Sequence, residues 1–275
     1  MEQFATKDWH PALADPTGTR ESKPRRKGQT MVIDKGLGLH AYQDMINAAG
    51  AYIDVIKLGF GTSVLYPKEL LLRKVELARQ AGIHIMPGGT LLEIAIVKDR
   101  TDEFFRLVSA YGFTAVEVSD GTIEMNRNLR SSLIIKGIDA GLTVVTEYGK
   151  KMSGSRIEID ELVKTVEIDT GLGASYVTIE ARESGVGVGI FDEQGECNKN
   201  ELHLIARSVA NSTQLMWEAP QKSQQAELLR ALGSDLNIGN VAPDEVLSLE
   251  ALRRGLRSDT FQFGLEKRYS FNEGE

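Results

Sequence analysis

One cysteine in 275 residues, Cys197, has no partner for an intramolecular disulfide, and an intracellular, reducing setting is expected. The four histidines, His10, His40, His84 and His203, are scattered without an i, i+4 pair, which argues against a zinc-type cluster. Positive charge is not in excess: 32 Lys and Arg stand against 39 Asp and Glu, a formal charge of -7. Neither nucleic acid nor a membrane is therefore expected as the main partner. A small anionic substrate stays open, because a pocket can be basic inside an acidic protein. No apolar run reaches spanning length, and the opening Met-Glu-Gln-Phe-Ala-Thr-Lys-Asp-Trp-His has no signal core, so a cytoplasmic protein is expected. Dinucleotide signals are missing too. Gly59-Phe60-Gly61 lacks a third glycine at the required spacing, and the run from Gly185 to Gly189 is not followed by a helix signal.

What is present is ordinary globular composition, 41% hydrophobic and 26% charged, in a chain long enough for one large α/β barrel or two modest domains. Short β-branched runs alternate with helical periodicities. Strands are expected at Met31–Ile33, Ile53–Leu58, Ile83–Met86, Thr114–Val118, Thr143–Thr146, Tyr176–Ile179, Gln214–Trp217 and Leu236–Ile238. Between them, Tyr42, Met45, Ile46 and Ala49 share one helical face before Gly50, and Pro67 opens a helix that Gly82 closes. No hairpin turn joins any two strands. Eight such alternations predict a parallel sheet, and a (β/α)8 TIM-type barrel fits better than an open doubly wound sheet because charged strand ends occur all round the series.

Four strands run straight into glutamate: Glu117, Glu147, Glu180 and Glu218. In a barrel the carboxyl ends of all strands converge on one mouth. Asp34, Lys57, Glu117, Asp120, Glu147, Lys151, Glu180, Arg182, Glu183 and Glu218 are the residues expected there. Crowded carboxylates repel, and a hard divalent cation, Mg2+, is their simplest resolution; each glutamate alone could instead be scaffold paired with Lys or Arg. Glu117, Glu147 and Glu180 are the expected metal ligands, and Pro220 is read as able to aim Glu218 outward. Lys57, inside an apolar strand, is either an anion ligand or half of an internal ion pair. Gly239 and Asn240, before the Pro243 helix, are read as exposed amides after strand eight, where barrels commonly hold phosphate. The basic run at Lys23–Lys27 is either a solvated arm or brings Arg25 or Arg26 over a barrel end to an anion.

Several motifs go beyond generic barrel patterns. Pro24-Arg25-Arg26, Asp34, Lys57 with Gly59-x-Gly61-Thr62-Ser63, Gly88-Gly89-Thr90 and Glu147-x-Gly149-x-Lys151 resemble the phosphosulfolactate synthase family. So do Glu180-Ala-Arg-Glu-Ser-Gly185, Glu218-Ala219-Pro220 and the stretch from Leu252 to Phe261. The resemblance spans about residues 23–264, leaving 1–22 as an N-terminal arm and 265–275 as a C-terminal tail. It implies a (β/α)8 fold and Mg2+-dependent addition of sulfite to phosphoenolpyruvate, giving 2-phospho-3-sulfolactate. On that chemistry Lys151, spaced from Glu147 as in the family, protonates the middle carbon, and Lys57, Arg182 and Arg26 neutralise phosphate and sulfite. A homo-oligomer is expected. Two other readings stand beside this one: a non-catalytic stress-protection or binding barrel of the same fold, and another Mg2+-dependent enolate-forming lyase.

Overall fold

The computed structural model describes residues 9–152 and 154–265. Residues 1–8 of the expected arm and 266–275 of the expected tail lie outside the described residues. A short helix α1 (Pro11–Ala14) precedes β1 (Thr30–Asp34) and α2 (Leu39–Ala49). Then come β2 (Val55–Leu58), α3 (Lys68–Gln80), β3 (His84–Pro87), α4 (Gly89–Val97) and α5 (Thr101–Ala110). The second half runs β4 (Ala115–Val118), α6 (Arg127–Asp139), β5 (Thr143–Tyr148), α7 (Ile159–Gly171) and β6 (Tyr176–Ile179). It ends with α8 (Lys199–Ser208), β7 (Leu215–Glu218), α9 (Lys222–Leu232), β8 (Asn237–Val241) and α10 (Val246–Arg253).

Each strand pairs parallel with its sequence neighbours except across β3 and β4, and β8 pairs with β1. At the remaining seam between β3 and β4, Thr114 N donates to Ile85 O at 3.1 Å and Ile85 N to Thr114 Oγ1 at 2.9 Å. The protein is a (β/α)8 barrel, as the alternation predicts. Strand side chains divide by the two-residue period. Met31, Val55, Met86, Ala115, Val145, Tyr176 and Met216 fill the barrel interior, while Val32, Ile56, Ile85, Val116, Val144, Val177 and Trp217 face the helices. The interior is therefore packed solid below, and any cavity must lie above this layer, at the carboxyl ends.

The amino-terminal end of the barrel is closed by ion pairs. Arg20 reaches Glu250 on α10 at 2.9 Å, Arg25 pairs with Asp54 just before β2 at 3.1 Å, and Lys23 Nζ donates to Ile53 O at 2.7 Å. Among the described residues no helix is long and apolar enough to cross a membrane.

Candidate active site

One further step of the strand period above the packed layer places charge where the layer below has hydrocarbon. Lys57 follows Val55 on β2, Glu117 follows Ala115 on β4, Glu147 follows Val145 on β5 and Glu218 follows Met216 on β7. All four side chains are buried and converge on a cavity of about 220 Å³ at the mouth. Glu180, the first residue after β6, joins them, with Lys151 and Arg182 over the top.

Lys57 Nζ is the hub of the lower tier. It lies 2.8 Å from Glu218 Oε1, 3.1 Å from Glu117 Oε1 and 3.9 Å from Glu147 Oε2. The second oxygens of two of these carboxylates are held by backbone: Gly89 N donates to Glu117 Oε2 at 2.7 Å, and Ala181 N to Glu218 Oε2 at 3.0 Å. A Cβ on Gly89 would come within 2.9 Å of Glu117 Oε2, so only glycine lets the start of α4 approach this closely. Lys151 forms the upper tier, 3.2 Å from Glu147 Oε1 and 3.4 Å from Glu180 Oε2. Gly121 backs its aliphatic stem, since a Cβ there would sit 3.1 Å from Lys151 Cγ and Cε.

The charges do not balance. Four buried carboxylates meet two ammonium groups, so protons and pKa values adjust. Burial pushes the Glu180 carboxyl up, and the neighbouring Glu147 and Glu218 push it further, well above the carboxylate range. Burial also raises Glu147, but Lys151 and then Lys57 outweigh it and bring that group down to about 2. For Lys57, burial favours the neutral amine, yet Glu117, Glu218 and Glu147 overcome it and hold the ammonium well above its usual range. Lys151 is likewise raised: burial opposes the charge, and Glu147 and Glu180 prevail.

This deficit of positive charge fits a divalent cation. Oxygen atoms of Glu147, Glu180 and Glu218 lie within 4.8 Å of one another, all three residues buried, which is an all-oxygen donor set of the kind a hard cation takes. Glu147 Oε1 and Glu180 Oε2 have no hydrogen-bond partner and lie 3.2 Å and 3.4 Å from the Lys151 ammonium.

The trio differs from the expected set. Glu117 is not among the three residues whose oxygens lie this close together; its own oxygens meet Lys57 and the Gly89 amide. Glu218 takes its place: the β7 period points it inward whatever Pro220 does after it.

Other expected residues divide according to which side of the strand they occupy. Asp34 is one step out of phase with Met31 and Ile33, so it faces the helices, where Lys74 of α3 meets it at 2.6 Å. Asp120 lies outside the mouth with Arg130 at 3.1 Å and Lys150 at 3.4 Å. Lys150 therefore turns away from the cavity and Lys151 into it. Arg182 and Glu183 line the mouth with their side chains exposed.

Arg26 is not brought to the mouth at all. It is exposed, four residues before β1, at the amino-terminal end where Arg25 pairs with Asp54. Gly239 and Asn240 lie within β8 rather than after it. Gly239 points into the packed interior, where a Cβ would meet Met31 Cε at 2.7 Å, so it serves packing. Asn240 does reach the mouth, by a route the sequence conceals. The register between β1 and β8 slips by one residue between Thr30 and Val32, and Asn240 in that bulge has φ +54. The bulge re-aims the side chain into the cavity, where Nδ2 donates to Arg182 O at 3.4 Å and Oδ1 is buried without a partner.

Sequence reasoning missed Phe60 and Ile33, the apolar side chains of the mouth. The strand period could have supplied Ile33. For Phe60 the available signal was a bulky residue between two glycines.

A family model described as (2R)-phospho-3-sulfolactate synthase (ComA) matches residues 18–259. The protein named phosphosulfolactate synthase from Methanocaldococcus jannaschii is 43% identical over 238 residues, 86% of this chain and 94% of that one. Its namesake from Methanothermobacter thermautotrophicus is 41% identical over 247 residues, 89% of this chain and 95% of the relative. Among solved structures, dihydrodipicolinate synthase from Agrobacterium tumefaciens superposes with a TM-score of 0.54 at 12% identity, over 87% of this chain and 80% of that chain. At that identity the likeness is one of fold.

Proposed function

This chain belongs to the phosphosulfolactate synthase family, and from that premise we propose that it joins sulfite to phosphoenolpyruvate in a Mg2+-dependent reaction, giving 2-phospho-3-sulfolactate. The observation that carries the reading is Lys151, held as an ammonium between Glu147 and Glu180 over a small, charge-lined mouth. Glu147, and then Glu180, outweigh burial and keep the proton on the Lys151 amine at the mouth. Sulfur bonds to the methylene carbon, negative charge moves toward the substrate carboxylate, and Lys151 delivers its proton to the middle carbon. Two anions must be brought together for this to happen. Lys57 below and Arg182 above supply the charge that offsets their repulsion, and Asn240 adds polar atoms at the β8 side.

Glu147, Glu180 and Glu218 would hold the Mg2+, which supplies positive charge where negative charge collects on the substrate. Retention of this whole charged rim argues against a stress-protection barrel without catalysis. Val64 and Ile94, exposed apolar side chains that line one groove, support self-association as a homo-oligomer. The lone cysteine supports a cytoplasmic setting.

Purified protein with phosphoenolpyruvate, sulfite and Mg2+ tests the reading. Loss of phosphoenolpyruvate with formation of a phosphate–sulfonate product is expected. Turnover that needs no sulfite, or is unchanged in EDTA, refutes it.

A further inference from the structure

We propose that Phe60 keeps water off the reacting face of this site, and that the strained backbone holding it there serves that role. The inference rests on the sulfite-addition reading. Phe60 has φ +56, the left-handed region, where a bulky aromatic residue is an outlier. Its neighbours Gly59 and Gly61 would adopt that conformation freely, yet neither is at positive φ, and Gly61 sits at φ -96. The strain therefore falls on the residue that bears it worst. Core packing does not account for it, because the side chain is 42% exposed.

The loop around Phe60 is fixed from below. Gly59 N donates to Asp34 O and Gly88 N to Leu58 O, each at 2.8 Å. A Cβ on Gly88 would lie 2.5 Å from Phe60 O and 2.6 Å from Phe60 N, so the bare backbone of Gly88 is the seat on which Phe60 rests. Three of the four non-glycine residues at positive φ among those described, Phe60, Arg182 and Asn240, follow or lie within strands that open on this one mouth. Backbone strain gathered at one site is a mark of function.

Among the described residues, Phe60 is the one aromatic side chain on the cavity wall and Ile33 the other apolar one; the remaining side chains are charged or polar. Charged walls alone would stay hydrated. Water left among them would weaken the attraction of Lys57 and Arg182 for the two anions and offer stray protons to the reacting carbon. An aromatic ring on the cavity wall displaces that water without adding charge.

Two variants test this, with wild type in parallel. Phe60→Asn removes the ring but suits the left-handed backbone. Phe60→Leu restores apolar bulk. For Phe60→Asn the expected result is a Tm equal to or above wild type, with kcat lower by roughly tenfold or more and the KM for phosphoenolpyruvate little changed. Phe60→Leu should recover most of kcat. A lower Tm for Phe60→Asn overturns the proposal, as does an unchanged kcat in that variant. A changed native mass accompanying the loss assigns Phe60 to a subunit contact and also overturns it. Failure of the underlying reaction is seen separately, as absence of sulfite-dependent turnover in wild type, and the proposal falls with it.

Discussion

Lys57 on β2 reaches across the barrel mouth to Glu218 on β7, and the two side chains meet at 2.8 Å although their strands are not neighbours in the sheet. That contact answers the question the sequence left open about Lys57: it is an internal ion pair, and it also lines the cavity. Glu218, which Pro220 could have aimed outward, also lies in the candidate metal trio.

Metal dependence should separate the four mouth glutamates. Glu147→Gln, Glu180→Gln and Glu218→Gln each remove a negative charge from the trio and should raise the Mg2+ concentration needed for half-maximal rate, with partial rescue at high Mg2+. Glu117→Gln should lower activity without such rescue, because Glu117 lies outside the close trio and binds Lys57 and the Gly89 amide. Titrating activity with Mg2+ checks this. Rescue of Glu117→Gln alone would refute the assignment.

The two adjacent lysines should behave differently. Lys151→Ala removes the proposed acid and should cost ~10²–10⁴-fold in kcat while phosphoenolpyruvate still binds. Lys150 donates to Asp120 O at 2.7 Å and Ile123 O at 3.0 Å outside the cavity, so Lys150→Ala should leave kcat close to wild type. Equal effects in steady-state kinetics would mean that neither lysine is the acid.

Gly239→Ala distinguishes packing from substrate binding. The new methyl would press on Met31 Cε at 2.7 Å and on Met216, so thermal unfolding should show a loss of about 1 kcal/mol. The KM for phosphoenolpyruvate should not move. A raised KM with unchanged Tm would return Gly239 to the binding site.

Glu250 should control part of the acid limb of stability from the far end of the barrel. Burial raises its carboxyl, but hydrogen bonds and charge from Arg20, and then Arg254, outweigh it and leave it below the ordinary value of 4.5. A carboxyl depressed in the folded state stabilises above its unfolded pKa, and that contribution is lost as pH falls through the folded value. Wild-type stability should therefore decline below about pH 4.5. Glu250→Ala leaves the buried Arg20 guanidinium and the half-buried Arg254 without their partner and should cost about 3–5 kcal/mol near neutrality, with a flatter acid limb. Denaturant melts across pH measure both effects.

The eight-fold alternation, and with it the barrel, is legible in the chain alone. Strand and helix periods are local properties, written in the apolar pattern of each segment. The clustering of glutamates at one end is legible there too, because strand order and parallel pairing send every strand end to one mouth. Which of those charges face each other depends on the closed barrel. Asp34 and Glu117 read alike as carboxylates at strand ends, yet one residue of phase sends Asp34 to Lys74 among the helices and Glu117 to Lys57 in the cavity. Asn240 owes its place to a bulge, and Phe60 its pose to the empty space above Gly88; neither has a sequence period. Arg25 and Arg26 looked suited to an anion, but their position just before β1 fixes them at the opposite end. Local pattern sets which side of a strand a residue takes, while side-chain partners depend on distances across the barrel that only the closed sheet creates.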